Sequence, residues 1–195
     1  TASQQTGGSK STAAPAEWSD ESVLPLERLA ALDVDGSLAL KQLTLTGQSI
    51  QPFKAEVVAR DGRIQLKQLD GGIFSGTFAS KGEIDTRQTP VKVSLTSEIA
   101  GLDSLAAQQA YDVPAQVRGD LNLNMDLSMR GNSMRRWMNT LGGNARFQVD
   151  DGALLGVNLE QQLCRAIALA NRKSLSGEHG SENTPFRQLN GSFSI

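Results

Sequence analysis

Between Val117 and Met129 the chain alternates without a break. Leu121, Leu123, Met125, Leu127 and Met129 are apolar, and Asn122, Asn124, Asp126 and Ser128 between them are polar. Successive side chains of a strand point to opposite faces, whereas a helix would scatter this pattern around its circumference. The segment is therefore a strand with one apolar and one polar face. Such a strand belongs in an antiparallel sheet that is wetted on at least one side.

Shorter stretches repeat the pattern. Phe53, Ala55, Val57 and Ala59 share one face, with Lys54, Glu56 and Arg60 opposite, and Asp61-Gly62 then gives a hairpin signal before Ile64 and Leu66. Phe74 to Phe78, Lys81 to Asp85, Val91 to Leu95, Ala145 to Val149 and Phe186 to Ile195 read as further strands. Ser37–Leu40 and Leu43–Thr46 alternate out of phase with each other, which implies a bulge or a break near Lys41-Gln42. Asp33-Val34-Asp35-Gly36 and Asp151-Gly152 read as turns. Nineteen glycines against six prolines suit a chain that turns this often.

Four short helices are expected among the strands. Pro25 to Ala31 has proline in its first turn, and Leu102 to Tyr111 turns Leu102 and Leu105 inward. Met134, Trp137, Met138 and Leu141 form one stripe after a Gly131-Asn132-Ser133 cap and before Gly142-Gly143. Asn158 caps a helix that carries Leu159, Leu163, Ala166, Ile167 and Ala170 on one side. Residues 1–22 are rich in Ser, Thr, Gln, Gly and Ala and read as a flexible polar linker, because they cannot bury enough surface to offset ordering entropy. Residues 23–195 form one β-rich domain, and the mid-strand character of Gly191 to Ile195 suggests that it is truncated at its C-terminal end.

Chemistry is sparse. A net charge of −2 provides no basic field for a nucleic-acid backbone. The single cysteine, Cys164, excludes an internal disulfide and a multi-cysteine zinc site, and its place in a helix suggests a small buried hydrophobe. The single histidine, His179, lies in a polar loop with no apolar framework to fix a catalytic partner. Asp33-Val34-Asp35-Gly36 lacks the further ligands of a calcium loop. Asp150-Asp151 reads as a turn, and Arg135-Arg136 as a solvated helix face that one pair of charges could hold only weakly to anionic headgroups. Gly71-Gly72 and Gly142-Gly143 lack the context of a phosphate loop. The expectation is a non-enzyme with no cofactor and no metal. No run of about eighteen apolar residues exists to span a bilayer.

The order of elements resembles the C-terminal region of the AsmA family. The resemblance is carried by Leu24 to Gly36 followed by Leu43-Thr44-Leu45, by Ala59 to Leu66 followed by Gly72-Ile73-Phe74-Ser75-Gly76, by Leu141 to Leu159, and by Thr184 to Ile195. It implies kinship with bridge-like lipid-transfer proteins, an inner-membrane anchor outside this chain, a body in the periplasm, and a role in outer-membrane biogenesis and phospholipid movement. The fold it implies is mainly β: a curved antiparallel sheet, as an open groove or half-barrel, with a few short flanking helices. Lipid-groove candidates are then Val57, Ile64, Leu66, Val93, Leu95, Leu121, Leu123, Met125 and Leu127, and the partner is a phospholipid or another envelope lipid. Alternation alone gives the same pattern for an open groove and a closed core. An assembly module with a closed core, binding other envelope proteins, is the other reading.

Overall fold

A computed structural model describes residues 18–171 and 182–195. Eight strands form one antiparallel sheet in the order β1 (Val34–Leu40), β4 (Phe53–Arg60), β5 (Arg63–Ile73), β6 (Gly76–Asp85), β7 (Lys92–Asp103), β8 (Val117–Arg130), β9 (Gly142–Leu154) and β10 (Thr184–Ser194). Apart from the small hairpin of β2 (Leu43–Leu45) and β3 (Gln48–Ile50), chain order is spatial order. This is a meander, in which each strand pairs with the one just made, and it requires no crossover. The sheet is open, with β1 and β10 as its edges.

Turn chemistry sets the hairpins. Asp61 and Gly62 both have positive φ, 50° and 75°, as a tight turn with the right-handed twist of its strands requires. The slip near Lys41-Gln42 is a break: β1 ends at Leu40 and β2 begins at Leu43.

Three local readings of the sequence are corrected. Asp33 to Gly36 is no turn, because Val34, Asp35 and Gly36 pair with Ala59, Val58 and Val57 as the start of β1. Phe74-Ser75 is no strand. Both residues have positive φ, 47° and 63°, and form the turn between β5 and β6. Asp151-Gly152 lies inside β9, where Asp151 (φ 47°) marks an extra residue opposite the Arg118–Asp120 step of β8. At Asp33–Gly36 and at Asp151-Gly152 a pairing partner far along the chain overrode or redirected a local preference, while at Phe74-Ser75 the tight β5–β6 hairpin did so.

The helices occupy the two ends of the sheet. At one end lie α1 (Leu26–Ala30) and α3 (Met134–Thr140), and at the other α2 (Ser104–Ala110) and α4 (Leu159–Ala170). Side-chain caps start three of them: Asp103 accepts from the Leu105 and Ala106 amides, Ser133 from Arg136, and Asn158 from Gln161. The segment from Trp18 to Val23, mostly in the stretch read as linker, runs along α3. Ser22 pairs with Ser133, the Val23 amide donates to the Asn132 carbonyl, and the Ser133 hydroxyl donates to Asp20 at 3.0 Å.

Few apolar side chains are buried: Ala59, Ile64, Val91, Leu102, Val149 and Ala153. Among the described residues there is one main layer, and the second sheet, the two-stranded β2–β3 hairpin, is too small to close a core over it.

Candidate lipid-binding face

Directly opposed residues of an antiparallel pair share a face, so register fixes which side chains stand together. One row runs Val57–Leu66–Gly82–Leu95–Leu127–Gly143 across six strands. The next, toward α3, is Val34–Ala59–Ile64–Ile84–Val93–Met129. On the other side follow Leu38–Ala55–Leu69–Ser80–Ser97–Met125–Ala145–Phe193 and then Leu40–Phe53–Gly71–Phe78–Ile99–Leu123–Phe147–Gly191. A last row, Leu102–Leu121–Val149–Leu189, lies toward α2. All nine residues singled out in the sequence stand on this face.

The face continues beyond them. Leu69, Phe78, Ile84, Ile99, Met129, Phe147 and Phe193 belong to it, and the rings of Phe147 and Phe193 stack with centroids 5.8 Å apart. Sequence reading missed the β6 contribution because Ser80 and Gly82 interrupt its apolar alternation. The two serines of the face, Ser80 and Ser97, oppose each other and share a hydrogen bond of 2.8 Å, so their polarity is satisfied locally.

Most of the face is half-buried rather than sealed. Leu121, Leu123, Met125 and Leu127 are all of intermediate exposure, while the alternating Asn124, Asp126 and Ser128 are exposed on the other side. Large contiguous apolar areas left open on a folded protein mark interaction sites more often than chance gaps. Two elements cover part of it. Ile50 of the small hairpin sits over Gly71, where a Cβ would come within 2.5 Å of it. At the opposite end α3 lies over the sheet. Between them is a cavity of about 490 Å³ bounded by Ile64, Leu66, Ile84, Val93, Leu95 and Met129 below and by Met134, Trp137, Met138 and Leu141 above.

The reverse face is polar and held by side-chain networks. Arg63 donates to Glu83 at 2.7 Å and holds that carboxyl below its ordinary range. Asp85 is buried and accepts from Arg87 and Gln88, which depress it much further. Asp150 gathers Gln148, Gln188 and Asn122 from three adjacent strands and is lowered by them. The Arg63–Glu83 and Asp150 networks tie neighbouring strands together without using the apolar side, and the Asp85 network holds the turn after β6.

Among the described residues no group of three or more His, Cys, Asp and Glu could hold a metal. His179 lies outside the described residues. Cys164 is half-exposed on α4 rather than buried, because nothing among the described residues covers that helix's stripe: Leu163 is 62% and Ile167 53% exposed.

The sequence pattern of the AsmA family matches residues 1–195, the whole chain. The chain belongs to the AsmA family. AsmA proteins are a bacterial envelope family that fits outer-membrane biogenesis in general, and the family is not known as enzymatic. No curated protein and no solved structure matches the chain. No helix among the described residues of this AsmA-family chain is long and apolar enough to cross a membrane.

Proposed function

We propose that this AsmA-family chain is a non-enzymatic, periplasmic lipid-handling module of a protein anchored in the inner membrane, and that it serves phospholipid movement in outer-membrane biogenesis. One observation carries the reading: a continuous apolar face, half-open to solvent, crosses all eight strands while the reverse face is mostly polar. An acyl chain needs apolar contact without directional bonds, and such a face supplies it over a long track. The nine sequence candidates, Val57 to Leu127, then act as the floor of the groove. Among the described residues β1 and β10 each pair on one side only, and an open edge can join further strands, which suits a groove that extends beyond one domain.

The assembly reading needs a second layer over the apolar face, and among the described residues only the β2–β3 hairpin and α3 lie over parts of it. The exposed stripe of α4 would suit a protein partner.

Lipid extraction from the purified chain, followed by mass spectrometry, tests the function. Wild type should carry phospholipid. Leu123→Asp should lose it and keep its β-sheet circular dichroism, because Leu123 is half-exposed and its replacement carboxylate can reach water. Its stability cost should be about 1–3 kcal/mol. A folded wild type with no lipid, or a folded Leu123→Asp variant with undiminished lipid, overturns the groove.

A further inference from the structure

We propose that α3 is a hinged flap over the apolar face and that the segment Trp18 to Leu24 is the latch that holds it shut, so that releasing the latch turns the roofed cavity back into open sheet. The inference does not depend on what occupies the cavity.

The chain leaves the sheet at Arg130 and returns to it at Gly142, at the ends of two paired neighbouring strands. The excursion from Gly131 to Leu141 therefore has a single root. Its hydrogen bonds to the sheet lie there. The Gly131 amide donates to the Val91 carbonyl at 2.8 Å, and the Thr140 hydroxyl donates to the Arg130 carbonyl at 2.9 Å and accepts from the Arg130 amide at 2.8 Å. The indole N–H of Trp137 donates to the Gly131 carbonyl at 2.9 Å, a bond inside the excursion that moves with it. Away from the root the flap meets the sheet through Met134, Trp137, Met138 and Leu141, and Met134 and Met138 are themselves 38% and 42% exposed. A helix of seven residues is too short to hold itself together in water.

The far end is held by the latch. The Arg135 amide, one of the N–H groups that a helix start leaves without an internal partner, donates to the Ser19 carbonyl at 3.0 Å. The Arg135 guanidinium donates to the Trp18 carbonyl at 3.1 Å and stands 3.4 Å from the Asp20 carboxylate. Asp20 also accepts from the Ser133 hydroxyl at 3.0 Å. Asn132 is gripped three ways: its side-chain amide donates to the Leu24 carbonyl at 2.9 Å and accepts from the Leu24 amide at 2.7 Å, and its own carbonyl accepts from the Val23 amide at 3.1 Å. Every residue from Trp18 to Val23 is exposed whereas Ser133 is buried, so the latch lies outside the flap. Polar contacts bordered by water are the kind of local hold that opens well before the fold does.

Amide hydrogen exchange on the full chain tests the device. Asp20→Ala combined with Asn132→Ala removes the latch side chains and leaves the apolar roof intact. The Val23 and Leu24 amides should lose protection, and the α3 amides, Trp137 among them, should exchange at least about tenfold faster while the amides of Leu123 to Leu127 in β8 keep their wild-type rates. In a Trp18→Phe background, where Trp137 is the single tryptophan, acrylamide should quench it more strongly in the latch variant than in the parent. Freed Val23 and Leu24 amides with unchanged protection in α3 overturn the latch. So does a rise that α3 and β8 share, which would make the segment a general brace of the sheet. A segment that stays protected without these side chains overturns it as well, because the bonds named here would then not be what holds it.

Discussion

Two amphipathic helices interrupt the second half of the sheet, and only one of them is put to use by the fold. α3 has seven residues and joins β8 to β9. α4 has twelve and joins β9 to β10 at the opposite end. By periodicity α4 is the better helix, with a longer apolar stripe and an asparagine cap. Yet Leu159, Leu163 and Ile167 are 48–62% exposed, while Trp137 and Leu141 of the shorter helix are half-buried over the sheet. The difference lies outside the helices. α3 is strapped by the segment Trp18 to Val23: the Trp18 and Ser19 carbonyls accept from Arg135, Asp20 accepts from Ser133, and the Val23 amide reaches Asn132. Among the described residues α4 has no comparable strap. An apolar stripe states that a face would gain by burial, and a distant segment decides whether it is buried.

The largest effect that should separate the two ends is at their glycines. Gly143, where the chain leaves α3 for β9, has φ 138°, and a Cβ there would collide with the Asp126 carbonyl oxygen. Neither strand can retreat without breaking its register. Gly143→Val should cost about 4 kcal/mol or more, an effect in the rare class of severe single substitutions. Gly156, just before α4, has φ 68° but open space around it. Gly156→Ala should cost only the backbone penalty, about 1–2 kcal/mol. Urea denaturation of both variants gives the ratio. Equal losses would mean that the α4 end is packed as tightly as the α3 end.

Much of the sheet was legible in the sequence for a physical reason. Alternation reports a strand's two environments directly, so β4, β8 and the Asp61-Gly62 hairpin were readable, as were all nine face residues. What failed was signal shared between outcomes. Asp-Gly serves a tight turn at Asp61-Gly62 and a bulge at Asp151-Gly152, and only the partner strand tells them apart. Phe74 looked like a strand residue because aromatic side chains favour strands, but it occupies a left-handed turn position. The cavity was illegible. It arises where α3 meets β5 to β8, and no local pattern joins Met138 to Ile64 across more than seventy residues. Its raw material, the Met134–Leu141 stripe, was visible, while its partner was not.

A middle-sized effect sharpens the comparison of the stripes themselves. Trp137→Ala removes the largest side chain over the cavity together with its hydrogen bond to Gly131. Because the ring is half-buried, the loss should be about 2 kcal/mol, below the full cost of a buried tryptophan. Leu163→Ala, at a position 62% exposed, should stay within about 0.5 kcal/mol of wild type. Thermal unfolding of the two variants side by side is the measurement. A comparable loss at Leu163 would show that α4 docks in solution against a surface it does not touch here.

The smallest contrast is in acid, between the carboxylates that brace each end on the polar face. Asp85, at the α3 end, accepts from the Arg87 guanidinium at 2.8 and 3.0 Å and from Gln88 at 2.9 Å. Asp150, toward the α4 end, is lowered chiefly by the neutral amide of Gln148, then by those of Gln188 and Asn122. Charge-assisted bonds favour the ionised form more than neutral ones do, so Asp85 is depressed further. A carboxyl depressed in the folded state contributes stability that is fully present above its unfolded value, near 3.9, and is lost as pH falls below that toward the folded value. Urea midpoints followed from neutral pH to about pH 3 should therefore fall in wild type. Asp85→Asn should lower the neutral-pH midpoint and flatten the acid limb, and Asp150→Asn should do both more weakly. The reverse order would place the stronger electrostatic brace at the end whose helix stands free, and would shift the explanation for α3's docking from its strap to something the two ends share.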